Sequence, residues 1–386
     1  MPAPDSILKL VDHFAALTAN LRQARYNETQ TRREFIDPFF EALGWDVSNR
    51  AGYSEAYKDV IHEDALAVEG RSRAPDYAFR VGGRRVFFVE AKKPSVNLSE
   101  GHAPAFQLRR YAWTAKLPLS ILTDFEEFAV YDCRSKPNPA DKPAQHRLML
   151  LNYRDYPARW DELYNIFSRE AVLQGRFDAY AETSRGKKGT ADVDDDFLAT
   201  IEGWRKALAL NLALRNPSLT ERDLNYAVQM TIDRILFLRI AEERGIERTD
   251  QLKDIAAEGE IYAGLVQLYR LADQRYNSGL FHFGAEKNRS THPDTLTPAL
   301  AVDDRVLKEI IRGLYPPLCP YAWYVLPAEI LGQVYEQFLG RVIRLTPGHQ
   351  AKVEEKPEVR KAGGVYYTPG YIVDYIVQQT VGRLLE

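Results

Sequence analysis

The stretch "RVGGRRVFFVEAKKP", residues 80 to 94, constrains the fold of this chain more than any other. Two adjacent glycines between β-prone runs signal a two-residue hairpin, with strands expected over 76–81 and 84–91. The second strand, "VFFVE", is wholly apolar until it meets charge, so it must be covered on both faces. Its end in Glu90, Ala91 and Lys92 is costly unless those charges have partners.

The flanking pattern supplies the helices. Residues 5–23 and 28–43 carry apolar residues at helical spacing. In the second, Phe35, Ile36, Phe39, Phe40 and Leu43 share one face, Asn27 can cap the start, Gly44 can end it, and Pro38 should bend it. Residues 48–72 are polar and give no clear element. A helix is expected over 102–115, followed by short strands in "LSILTD" and "EFAVYD". The result is one α/β domain.

Polar breaks divide the remainder. "SKPNPADKPAQ" (135–145) is a Pro-rich loop, and "TSRGKKGTADVDDD" (183–196) reads as a linker or mobile loop. Beyond it the pattern is helical almost throughout, including 329–343, until a third break, "TPGHQAKVEEKPEVRKAGG". The expected organisation is an α/β domain over 1–182, the linker 183–196, an all-α region over 197–360 and a distinct last segment, 361–386.

Composition excludes several classes. Among 386 residues there is no apolar run of the ~18 residues a membrane helix needs, and no secretory signal at the start. Two cysteines support no disulfide framework and fit a reducing cytoplasm; seven scattered histidines give no zinc spacing. A net charge of −3 is not the balance of a protein that clings to nucleic acid by charge alone.

The hairpin can nevertheless do chemistry. Its turn brings Asp76 to the same end as Glu90, and the two-residue period of a strand puts Glu90 and Lys92 on one side. Two carboxylates, with the Ala91 carbonyl as a further ligand, can hold Mg²⁺, while Lys92 orients or deprotonates an attacking water. This is what phosphodiester hydrolysis requires. The plain alternative is a hairpin with solvated charged ends. Gln107 and Tyr111 lie four apart on one face of the following helix, and Glu28 opens the helix before the sheet.

With these residues in place, residues 26–132 resemble the nuclease domain of the PD-(D/E)xK superfamily, in the versions carried by type I and type IIG restriction enzymes. The matching residues are Asp76, Glu90 and Lys92 for the core motif, Gln107 and Tyr111 for a Gln-x-x-x-Tyr element, and "LGWD" after the first helices. The resemblance implies an α/β nuclease domain with a mixed sheet flanked by helices, metal binding by Asp76 and Glu90, and catalytic roles for Asp76, Glu90, Lys92, Glu28, Gln107 and Tyr111. Glu34 is the alternative to Glu28. Double-stranded DNA is the implied partner, and Lys93, Arg109 and Arg110 are candidate phosphate contacts, with solvated surface charge as the alternative reading.

The last segment, "GGVYYTPGYIVDYIV", resembles the opening motif of methyltransferases acting on adenine in DNA. There the Tyr-Thr-Pro loop lies against S-adenosylmethionine, a role implied for Tyr367, Thr368 and Pro369. "RILFLRIAEERGI" and "EILGQVYEQFLG" are similar to the helical connector that precedes the methyltransferase in type IIG enzymes. No "DPxxGxG"-like loop or "NPPY"-like tetrapeptide follows, so no methyltransferase activity is expected from these residues alone, and the chain reads as a fragment of a longer polypeptide or a truncated gene. The resemblances together imply the nuclease end of a cytoplasmic, phage-restricting fused nuclease–methyltransferase. The alternatives are the nuclease end of a type I restriction motor subunit, although no "GxxxxGK[ST]" loop occurs here, and a catalytically silent DNA-binding or assembly module.

Overall fold

A computed structural model describes residues 1–21, 26–62, 74–183, 193–276, 278–284, 292–326, 341–355 and 370–383. The chain forms two compact units. One comprises Met1–Val193 with Pro320–Val325, the other Asp194–Cys319 with Leu326–Glu386.

The first unit is built on a six-stranded mixed sheet in the order β1-β2-β3-β4-β5-β6. The strands are β1 (Val60–His62), β2 (Tyr77–Val81), β3 (Arg84–Ala91), β4 (Leu119–Thr123), β5 (Glu127–Asp132) and β6 (Arg147–Asn152). Only β3 and β4 are parallel, joined by a crossover helix, α4 (His102–Thr114). Helices α1 (Asp5–Leu21), α2 (Glu28–Thr31) and α3 (Asp37–Ala42) precede the sheet; α5 (Tyr156–Phe167), α6 (Arg169–Leu173) and α7 (Arg176–Thr183) follow it.

The expected hairpin is present. Gly82 and Gly83 take φ of 58° and 79°, the left-handed values that a two-residue I′ turn needs at both positions. β3 is central, and its alternation distributes two cores. Phe87, Val89 and Ala91 join Phe35, Phe39, Phe40, Trp45 and Trp160 on one face. Phe88 joins Leu108, Tyr111 and Ala112 of α4 on the other. The first core is held by aromatic edges, with Phe39 5.0 Å from Tyr156 and 5.7 Å from Trp160 between ring centroids. Each large apolar side chain so buried contributes roughly 1.5–3 kcal/mol.

Several elements differ from the sequence expectation. The helix expected over 28–43 is interrupted by a π-helical turn, Arg32–Ile36, immediately before Pro38. The stretch 48–72 contains β1, whose Ile61 is buried against Ala78 and Phe88. β6 and helices α5–α7 complete the unit. The segment 320–325, distant in sequence, packs on α4: Ala322 N donates to Thr114 Oγ1 at 3.0 Å, and Tyr321 stacks on Trp113. Thr183 ends α7 and residues 193–196 open a helix, so both ends of the stretch expected as a linker or mobile loop over 183–196 are helical; residues 184–192 lie outside the described residues.

The second unit is mainly helical: α8 (Val193–Arg215), α9 (Glu221–Glu243), α10 (Gln251–Glu258), α11 (Ile261–Arg275) and α12 (Asp304–Arg312). It is not all-α. Residues 341–343, expected as the end of a helix, belong to strand β7 (Arg341–Leu345), paired with β8 (Ala351–Glu355) inside the expected third break. A short apolar run such as "RVIRL" fits either period, and the "TPG" that follows supplies a turn. Asn225 of α9 exchanges two hydrogen bonds with the backbone of Ile343, at 2.7 and 2.8 Å. Residues 327–340 lie outside the described residues. A last helix, α13 (Gly370–Val377), runs into a π-helical turn, Gln378–Gly382. No helix among the described residues is long and apolar enough to cross a membrane.

Candidate active site

The sequence pattern leaves the pairing register open, and the register decides whether two carboxylates meet. At the turn Val81 pairs with Arg84 and Arg80 with Arg85, but Phe79 pairs with Phe87 and Tyr77 with Val89. A one-residue bulge at Val86 therefore shifts the frame. Continued one step, it sets Asp76 against Glu90; without the bulge Asp76 would face Val89, and the two acids would lie on opposite faces. Residues directly opposite on antiparallel strands share a face, here the face covered by α4.

Each carboxylate is then fixed by its surroundings. Asp76 is 3% exposed. Its Oδ2 accepts from Ala91 N at 2.7 Å, and Arg32 approaches its Oδ1 at 3.4 Å and its carbonyl at 3.3 Å. Glu90 is 1% exposed. Its Oε1 accepts from Lys92 Nζ at 2.6 Å and from Gln107 Nε2 at 2.8 Å. Its Oε2 is buried and has no hydrogen-bond partner among the described residues. Gln107 also donates to Tyr111 Oη at 3.3 Å, which explains the spacing of four along α4. Lys92 Nζ donates to the Ala91 carbonyl at 2.8 Å and lies 3.6 Å from Glu28.

Glu28 reaches this cluster because Asn27 builds a capping box with Gln30, with both bonds formed at 2.9 and 3.0 Å, making Glu28 the first residue of α2. Glu34 is exposed and accepts instead from Tyr26 Oη at 2.9 Å. Of the two helix glutamates, Glu28 is the one at the cluster.

Electrostatics follow from crowding acids away from water. Burial, and then the charge of Asp76, push the Glu90 carboxyl up to about 8 against the opposing pull of Lys92. Burial and Asp76 also raise Glu28. Burial alone would lower Lys92, but the charges of Glu90, Asp76 and Glu28 outweigh it and hold the ammonium above its ordinary range.

The donor set suits a hard cation. Among the described residues no three His, Cys, Asp or Glu side chains converge as a metal site. Two carboxylates and the Ala91 carbonyl are what is offered, and a small divalent ion keeps several waters of its own. The orphaned Glu90 Oε2 and the raised Glu90 carboxyl both mark a place where added positive charge would be stabilising.

Arg32 was not legible as a site residue. It is 5% exposed, stands 4.5 Å over the Tyr77 ring, and contacts His62 Nδ1 at 3.2 Å as well as Asp76. The available signal was its place one turn before Phe35 and Phe39 on the buried stripe of the same helix. Arg109 requires correction as a phosphate contact. It is 2% exposed, ion-paired to Asp141 of the Pro-rich loop, and donates to Ser135 Oγ at 3.1 Å. A guanidinium locked in this way braces the loop on α4. Arg110 is also mostly buried, lying 5.6 Å over the Tyr111 ring, and Lys93 is half-buried beside the cluster. Tyr367, Thr368 and Pro369 lie outside the described residues.

Three similarities to known proteins bear on the chain as a whole. A family model described as the type I restriction enzyme R protein N terminus matches residues 59–139, a span that contains Asp76, Glu90, Lys92, Gln107 and Tyr111. The type II restriction enzyme and methyltransferase RM.Eco57I of Escherichia coli is 36% identical over 383 residues, 99% of this chain. The chain is related to restriction enzymes. It spans 37% of the length of that relative. The type IIG restriction endonuclease BpuSI is similar over 80% of this chain and 31% of its own, at 13% identity and a TM-score of 0.22; so loose a superposition supports no argument about the site.

Proposed function

We propose that the first unit carries a Mg²⁺-dependent DNA endonuclease site of PD-(D/E)xK type, the nuclease part of a type IIG-like fused restriction–modification enzyme. The observation that carries this reading is Glu90: buried, lifted to about 8 and left with one unpartnered oxygen, beside Asp76 and Lys92. A carboxylate kept in that state is poised for a cation.

The residues divide the work. Gln107 and Lys92 hold Glu90 Oε1 and so turn Oε2 toward the ligand position, while Ala91 N and Arg32 fix Asp76. Bound Mg²⁺ would supply Lewis-acid polarisation of the phosphodiester and a more acidic water. Lys92, held as an ammonium, can orient the attacking water and offset charge growing on the phosphate. Glu28, with its raised carboxyl, is placed to accept a proton at the cluster's open edge. Lys93 is the candidate contact to a neighbouring phosphate, and Arg110 a weaker one because of its burial.

The relative's name pairs a restriction enzyme with a methyltransferase, and the match reaches through the helical unit. This supports reading residues 197–360 as a connector and 361–386 as the start of an adenine N6-methyltransferase, with Tyr367, Thr368 and Pro369 against S-adenosylmethionine. The family model favours the alternative of a type I motor subunit, but it covers only residues 59–139, whereas the likeness to the fused type II enzyme extends over 99% of the chain.

The test is conversion of supercoiled plasmid to nicked or linear DNA by the longest polypeptide that carries this chain. Cleavage is expected with Mg²⁺ or Mn²⁺ and none in EDTA. Binding of DNA without cleavage under every metal would replace this reading with that of a silent binding module.

A further inference from the structure

A second site lies at the other end of the hairpin. A cavity of about 690 Å³ is lined there by Arg80, Arg84, Arg85 and Lys116, with Asp178 its carboxylate. Arg85 is five residues from Glu90, about 17 Å along an extended strand at ~3.4 Å per residue. The cavity is therefore separate from the acidic cluster.

Three features show that this end of the sheet is built at a cost. Arg80 and Arg85 are direct cross-strand partners, and like charges so opposed are destabilising. Arg80 Nε is buried without a hydrogen-bond partner among the described residues, which forfeits the solvation of a charged donor. Glu55, a carboxylate whose charge interacts with Arg80, is itself ion-paired with Lys58 at 2.6 Å. Lys116 enters the lining from a left-handed backbone position, φ 58°, one that a non-glycine residue takes at some expense. Among the described residues, four cations and one carboxylate line this cavity of small-ligand size, a composition suited to a polyanion. The planar, multi-donor guanidinium specifically suits phosphate oxygens.

We propose that this cavity binds the phosphate groups of a phosphate ester, independently of the nuclease site. The shared chemistry admits a free nucleotide or the backbone of a nucleic-acid strand that is not being cut.

The experiment titrates the whole protein with inorganic pyrophosphate by calorimetry, in buffer without divalent cations so that a metal at Glu90 cannot recruit the probe. Pyrophosphate should bind wild type and Glu90→Gln alike, and Arg80→Ala or Arg85→Ala should each weaken it about tenfold, the loss expected for a charge-assisted contact. Displacement of pyrophosphate by a nucleoside triphosphate but not by a short DNA duplex identifies a free nucleotide; the reverse identifies a strand backbone. Thermal unfolding checks each variant. If Arg80→Ala does not fold, Arg84→Glu on the exposed tip should weaken binding in its place. Absence of pyrophosphate binding, binding unchanged by the arginine variants, or binding lost in Glu90→Gln overturns the proposal.

Discussion

Replacing Glu90 or Lys92 by alanine is expected to reduce metal-dependent DNA cleavage about 10³-fold or more, to the background of the assay. The size follows from what each residue does. Removing Glu90 takes away the oxygen that has no other partner and half of the carboxylate pair. Removing Lys92 takes away the ammonium that orients Glu90 and stands where charge would grow on the phosphate. Losing a single preorganised electrostatic or acid–base group in an active site commonly costs 10²–10⁴ in rate. The variants should nonetheless fold. Glu90→Ala relieves a buried, crowded acid, and Lys92 sits at the rim, with its side chain 17% exposed. Circular dichroism and unfolding curves close to wild type, with cleavage gone, are the expected pair of results. Full cleavage by both variants would remove Asp76, Glu90 and Lys92 from the chemistry altogether.

Glu90→Gln should raise stability at alkaline pH. Burial and the Asp76 charge lift the Glu90 carboxyl to about 8 in the folded, metal-free protein, whereas an unfolded glutamate titrates near ~4.3. The folded state therefore holds this proton more tightly than the unfolded chain. The stability so gained is complete below pH ~4.3 and is lost as pH rises through about 8. Above that pH the buried carboxylate is charged beside Asp76, at a cost on the order of several kcal/mol. Glutamine keeps an acceptor for Lys92 and Gln107 without the charge. At pH 8.5 in EDTA the variant should melt about 5 °C or more above wild type, and the two should converge near pH 5. Mg²⁺ should raise the melting temperature of wild type at pH 8.5 and leave Glu90→Gln unmoved. Parallel melting curves across this range would show that Glu90 carries no stored electrostatic cost, and with it would go the reason for a cation there.

The extent to which sequence anticipated structure differs from element to element. The Gly82-Gly83 turn, the buried β3 and the shared side of Glu90 and Lys92 follow from local rules, because left-handed turns and strand periods are written in a few adjacent residues. Gln107 and Tyr111 were equally accessible through helical spacing. The register was not. The bulge at Val86 is one residue in an apolar run, and nothing local distinguishes a bulged Val from a paired one, yet it decides which residue opposes Asp76. Arginines misled in both directions. Arg32 and Arg109 are polar letters in the sequence but buried braces in the fold, because their partners, Asp76 and Asp141, are brought to them from 44 and 32 residues away. The first residues of β7 continue the helical spacing of the stretch before it, and pairing with Ala351–Glu355 makes it a strand. The packing of residues 320–325 on α4 is likewise a property of the folded chain that no window of sequence contains.

Glu90 Oε2, Asp76 and the Ala91 carbonyl are proposed to form a divalent-cation site. Anomalous diffraction from crystals soaked in Mn²⁺ tests it most directly. A single strong peak is expected about 2 Å from Glu90 Oε2, present in wild type and absent in Glu90→Gln. Mn²⁺ bound only elsewhere in crystals of a protein that still cleaves DNA would contradict it.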